Sequence, residues 1–173
     1  MMISLSALLL SVAPLQDPPV PAPTLPAIIA VSEDDQAAIA QTIRDIYAVI
    51  SGPAGQERDW DKMRSLMEPG AKLSAITPKG VLNMTLDEYI EKSGPILVGN
   101  GFSESELVQR MEAYGRIAHV WSSYDGATET GGIKVRGINS FQLAKGADGQ
   151  WRVQSIFWQQ EVPQYPLPKD MEK

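Results

Sequence analysis

Four runs decide the fold: Ser103–Gly115 (SESELVQRMEAYG), Arg116–Gly126 (RIAHVWSSYDG), Gly137–Gly149 (GINSFQLAKGADG) and Trp151–Glu161 (WRVQSIFWQQE). Each mixes polar and apolar residues at strand-like alternation, and turn signals separate them. In the second, Ile117, His119, Trp121 and Ser123 fall on one face and Ala118, Val120, Ser122 and Tyr124 on the other. In the third, Asn139, Phe141 and Leu143 oppose Ile138, Ser140 and Gln142. Strict alternation in the fourth sets Trp151, Val153, Ser155 and Phe157 against Arg152, Gln154, Ile156 and Trp158. Asp125-Gly126 with the following ATETGG reads as a flexible hairpin loop, and Ala147-Asp148-Gly149 as a tight turn. Neither face of these strands is purely polar, so the sheet is expected to be covered twice, by helices on one side and a partner subunit on the other.

The chain before these runs reads as the helical cover. Ser32 can cap a helix whose first turn holds Glu33, Asp34 and Asp35, and Ile39, Ile43, Ile46, Tyr47 and Ile50 make one apolar stripe along it. Gly52-Pro53 ends it. A short helix is predicted over Asp59–Met67, stopped by Pro69-Gly70, and then a strand over Ala71–Ile76. Thr85-Leu86-Asp87-Glu88 is a capping box for a further helix, expected to falter at Gly94-Pro95. Helices followed by a strand meander argue for an α+β single domain rather than a doubly wound parallel sheet.

Composition bounds the partners. The 173 residues suffice for one domain, and the net charge of -6 with no basic stripe opposes nucleic-acid or anionic-lipid binding. With no cysteine and a single histidine, disulfides and thiolate chemistry are excluded, and a transition-metal site would have to lean on carboxylates. The acidic pairs Asp34–Asp35 and Asp87–Glu88 are better read as helix N-terminal charges than as metal ligands. No cofactor motif occurs: a phosphate-binding glycine loop, a GxSxG elbow and HExxH are all missing from the sequence.

The apolar run Met1–Val12 is too short to span a bilayer, but suits a signal peptide covering residues 1–13. A proline-rich linker over 14–30 and a proline-rich tail over 163–173 flank a domain at 31–162. This predicts a periplasmic or secreted protein with no membrane attachment after processing.

The opening amphipathic helix, RDWDKMRSLMEPGAKLSAI (58–76), IAHVWSSYD (117–125), RGINSFQL (136–143) and GQWRVQSIFWQQE (149–161) together resemble the nuclear transport factor 2-like superfamily, which includes ketosteroid isomerases and SnoaL-like polyketide cyclases. The resemblance covers roughly Ser32–Val162. It implies a cone-shaped, curved antiparallel sheet wrapped around the N-terminal helices, a pocket at the wide end and a homodimer through the sheet. It specifies the fold better than the function, since this fold hosts isomerases, dehydratases, cyclases, binding modules and adaptors.

Ketosteroid isomerases place an acidic base and a Tyr/Asp oxyanion pair in that pocket. Here no Asp or Glu takes a clear inward strand position, and Glu104, Glu106 and Glu112 read as solvated-face charges. His119, the one side chain titrating near neutrality, is the candidate catalytic base, or else a core histidine satisfied by a neighbour. Tyr47, Trp121, Asn139, Phe141 and Phe157 are the candidate ligand-binding residues, with core packing as the alternative for the aromatics. Three functions stay open: a pocket for a small apolar or amphipathic molecule, a SnoaL-like enzyme transferring a proton through His119, and a homodimeric interaction module.

Overall fold

The computed structural model describes residues 31–172; the expected signal peptide and the whole of the proline-rich linker lie outside these. Three helices, α1 (Glu33–Ile50), α2 (Trp60–Ser65) and α3 (Leu86–Asn100), pack against one sheet. Its strands are β1 (Met67–Thr77), β2 (Gly80–Thr85), β3 (Phe102–Tyr114), β4 (Ile117–Thr128), β5 (Lys134–Lys145) and β6 (Trp151–Gln160). The spatial order is β2-β1-β6-β5-β4-β3. The sheet is curved and does not close. It is mixed rather than wholly antiparallel, because the last strand returns beside the first in the same direction, with Leu73 opposite Ile156.

Local chemistry accounts for the helix starts. The Ser32 hydroxyl accepts from the Asp35 amide at 3.1 Å. The capping box forms as expected: Thr85 Oγ1 accepts from the Glu88 amide at 3.2 Å, and Glu88 accepts from the Thr85 amide at 2.7 Å. Asp35 also takes bonds from Lys145 Nζ (2.6 Å) and Trp151 Nε1 (2.8 Å), tying the start of α1 to the β5–β6 hairpin.

The stop expected at Gly94-Pro95 does not occur; α3 continues to Asn100 with Pro95 inside it. Packing overrides the local penalty. Gly94 lies against Trp60, and an added Cβ would sit 3.3 Å from the indole, so glycine lets helix and ring meet closely.

The core joins the Ile39, Ile43, Ile46 and Ile50 stripe to inward residues of the sheet, among them Leu73, Val120, Phe141, Leu143, Val153 and Ile156. Two bulges reset which side chains point inward. In β3 the register shifts between Glu106 and Val108; the Ser123 hydroxyl accepts from the Val108 amide at 3.1 Å there. In β5–β6, Gln142 pairs with Ser155 but Leu143 pairs with Val153, which leaves Gln154 extra. Trp151 and Val153 are buried before that bulge and Ile156 after it, while Phe157 is exposed.

The C-terminal segment folds back over the outer face of the sheet. Leu167 and Met171 are buried, the Met171 carbonyl accepts from the Ser123 hydroxyl at 2.7 Å, and Glu161 accepts from the Leu167 amide at 2.8 Å.

Candidate functional site

Between α1, α3 and the inner face of the sheet lies a cavity of about 240 Å³. Its walls are apolar: Ile46, Ile50, Met63, Leu73, Leu97, Phe102, Val135, Phe141, Ile156 and Trp158. Tyr47 meets Phe141 edge-on with centroids 6.3 Å apart, and Tyr89 meets Trp158 likewise at 6.3 Å. Tyr47, Tyr89, Glu104, Tyr124 and Asn139 form its polar groups, with Ser93 and Gln160 also lining it.

Each of the five is positioned by its element, Tyr89 by α3. Tyr47 is part of the buried stripe of α1. Tyr124 and Asn139 are inward positions of β4 and β5, where Ser122 pairs with Asn139 and Tyr124 with Gly137. Gly137 is required there, since a Cβ would meet the Gln159 carbonyl at 2.3 Å and the Tyr124 hydroxyl at 2.6 Å. Glu104 shares the parity of Phe102, upstream of the β3 bulge, and so enters the cavity.

A directed chain of hydrogen bonds leads out of the cavity. Asn139 Nδ2 donates to the Tyr47 hydroxyl (3.0 Å), which lies 2.8 Å from Ser122 Oγ, and Ser122 donates to Glu106 Oε1 (2.6 Å). Because Ser122 spends its proton on Glu106, Tyr47 is the donor to Ser122. Burial raises the pKa of Tyr47, with its bonds to Ser122 and Asn139 opposing and the Glu104 and Glu106 charges adding to the rise. Burial also pushes the Glu104 carboxyl up to about 7, against the pull of a hydrogen bond from Asn139. Tyr89 and Tyr124 are raised by burial and then by the nearby Glu104 charge.

The sequence-derived candidates divide into two groups. Tyr47, Asn139 and Phe141 line the cavity. His119, Trp121 and Phe157 lie on the outer face. His119 sits across from Gln142, with Nδ1 2.6 Å from the Gln142 amide nitrogen, and its ring is 6.0 Å from Trp121. Trp121 and Phe157 border an outer groove of about 450 Å³ with Tyr165 and Leu167. Phe157 is there because the Gln154 bulge reverses the parity that strict alternation assigned to it. Glu104, which reads in the sequence as a solvated-face charge, lines the cavity instead, and Tyr89, Tyr124 and Trp158 join it without having been candidates; for Glu104 the signal lay in Phe102, which shares its parity.

Among the described residues, no group of three or more His, Cys, Asp or Glu stands ready to hold a metal ion. No described helix is long and apolar enough to cross a membrane.

No family model matches the chain, and no curated protein matches it significantly. Solved structures do. A nuclear transport factor 2-like protein of unknown function from Methylobacillus flagellatus is 14% identical with a TM-score of 0.58, the match covering 78% of this chain and 98% of that one. A Streptomyces avermitilis protein, provisionally described as a dehydratase of the same family, is 14% identical with a TM-score of 0.60, covering 75% and 98%. A Shewanella frigidimarina protein, provisionally described as a ketosteroid isomerase, is 18% identical with a TM-score of 0.54, covering 70% and 94%. The chain thus has the α+β cone fold of the nuclear transport factor 2-like proteins.

Proposed function

We propose that this chain is an exported pocket protein that binds a small, largely apolar molecule carrying one polar group. The observation behind this reading is the cavity itself: apolar walls with Glu104, Asn139 and three tyrosines gathered among them. Trp158 lines the cavity and Trp121 does not, which provides the test. Titration with a library of small hydrophobic molecules is expected to change tryptophan fluorescence. The response should survive Trp121→Phe and disappear in Trp158→Phe. A folded protein that answers to no member of a broad library counts against the pocket reading.

Export rests on the apolar run before Ala13, and the mass of the protein from its own host would reveal a cleavage. The expected homodimer is part of the same proposal. Trp121 and Phe157 leave an apolar outer face for a second copy, being 39% and 43% exposed. A monomer in sedimentation at micromolar concentration would remove it.

A second reading, proton transfer on a carbonyl compound, draws on one observation: a carboxyl, Glu104, set in an apolar cavity, where burial pushes its pKa up to about 7. The provisional isomerase and dehydratase names of two similar structures accord with it. Its base would be Glu104, since His119 lies on the other side of the sheet.

A further inference from the structure

We propose that the cavity's ligand is a small lipophilic amine, bound as its ammonium ion with Glu104 as counter-ion and the surrounding rings as its cage. This rests on the pocket reading above and names the chemistry of its polar group.

Among the described residues, Glu104 is the one carboxyl lining the cavity, and no Lys, Arg or His lines it. The ion pairs among the described residues all lie elsewhere, on Asp35, Asp45, Glu68, Asp148, Glu161 and other outlying acids. A carboxylate taken out of water without a cation is costly, and the cost is met either by a proton or by a positive group brought in from outside. An anionic ligand would instead place a second negative charge beside the first.

Free donors are few at the Tyr47 end of the cavity. Tyr47 sends its proton outward to Ser122, whose own proton goes to Glu106. Asn139 uses one amide hydrogen on Tyr47. The Tyr47 end of the cavity therefore offers an incoming ligand acceptors more than donors, which matches the several N–H groups of an ammonium ion.

Aromatic rings complete the surroundings. Tyr47, Tyr89, Tyr124, Phe141 and Trp158 surround the same space, and aromatic faces attract a desolvated cation. The volume of about 240 Å³ suits one ring with a short side chain. The groups facing Glu104 are Tyr47 from α1, Tyr89 from α3, Tyr124 from β4 and Asn139 from β5, with Glu106 on its own strand. None carries positive charge. Amine binding should therefore strengthen as Glu104 ionises with rising pH, and ligation should release a proton where Glu104 starts protonated.

Three probes of matched shape test this: phenethylamine, phenethyl alcohol and phenylacetate, titrated by calorimetry into the full chain. At about pH 8 the amine is expected to bind about tenfold or more tighter than the alcohol, with phenylacetate weakest. Near neutrality, its binding heat should vary between buffers of different ionisation enthalpy, reporting the released proton. Glu104→Gln should erase the amine's advantage while the alcohol still binds. Alcohol or phenylacetate binding as tightly as the amine would overturn the amine inference and leave the pocket reading standing. No binding of any probe by the folded protein would count against both.

Discussion

Glu104 joins sequence to energetics most directly at the residue scale. Its carboxyl sits among apolar and aromatic side chains, and burial favours the neutral form, pushing the pKa from 4.5 up to about 7. The folded state then holds a proton that the unfolded chain has already lost. Between those two values the native protein binds more protons than the unfolded one, so stability falls as pH rises through the window. Below about 4.5 the contribution is fully present, and above about 7 it is gone; the total is at most about 3 kcal/mol. The paired acids act with the opposite sign. Asp148, lowered to about 2 chiefly by its hydrogen bond to Arg152, stabilises above its unfolded pKa, as does Asp35 beside Lys145 and Trp151, and both lose that contribution in acid. Glu104→Gln should therefore raise the melting temperature at about pH 8 and flatten its slope between about pH 5 and 7. Thermal melts across that range check it; an unchanged slope would place the carboxyl in water rather than in the cavity.

At the scale of elements, the helices depend on a residue from a loop. Neither α1 nor α3 has a basic residue in its last turn. Arg58, 6% exposed, supplies the missing donors from between α1 and α2. Its guanidinium bonds the Ile50 and Gly52 carbonyls at the end of α1 (3.2 and 2.7 Å), the Leu97 carbonyl near the end of α3 (2.8 Å) and the Gln56 carbonyl (2.5 Å). Its charge faces two negative helix ends rather than a carboxylate. Arg58→Ala is expected to cost about 3 kcal/mol, because several buried carbonyls lose their partners at once. Arg58→Lys should recover only part of this, since one ammonium cannot span both helix ends. Chemical denaturation measures both, and a loss within experimental error for Arg58→Ala would refute the two-helix clamp.

Elements also explain what the sequence disclosed and what it concealed. The α1 stripe placed Tyr47, and the unbroken alternation of β5 placed Asn139 and Phe141 on one face, which the structure bears out. Glu104 stayed hidden because Ser103-Glu104-Ser105-Glu106 holds no apolar residue to mark the inward side. The bulge that follows then gives β3 the opposite parity from Val108 onward. The Gln154 bulge likewise sent Phe157 outward. Alternation shows that a face exists, but a single extra residue exchanges its members, and only pairing with the neighbouring strand reveals where that residue sits.

On the scale of the whole molecule, the sheet has two apolar faces with different covers. The inner face is closed by α1 and α3 around the cavity. Part of the outer face is closed by the chain's own end, which the sequence had reduced to a proline-rich tail. Met171 is fully buried against the sheet, Leu167 nearly so, and Arg110 pairs with Asp170 beside them. Ending the chain after Val162 removes these contacts and deletes no residue that lines the cavity, while baring the groove edge of Trp158 and Gln160, which border both spaces. Burial of the two side chains alone predicts a loss of about 3 kcal/mol or more. The shortened chain should thus melt at a lower temperature, and its newly bared outer face should promote self-association in sedimentation. Its tryptophan response to a cavity ligand should persist, because Glu104, Tyr47 and Asn139 stay in place on the inner face and every residue that lines the cavity is retained. Full stability in the shortened chain would show that the tail does not hold to the sheet in solution. Loss of the ligand response with the fold intact would show that the two faces are coupled rather than independent.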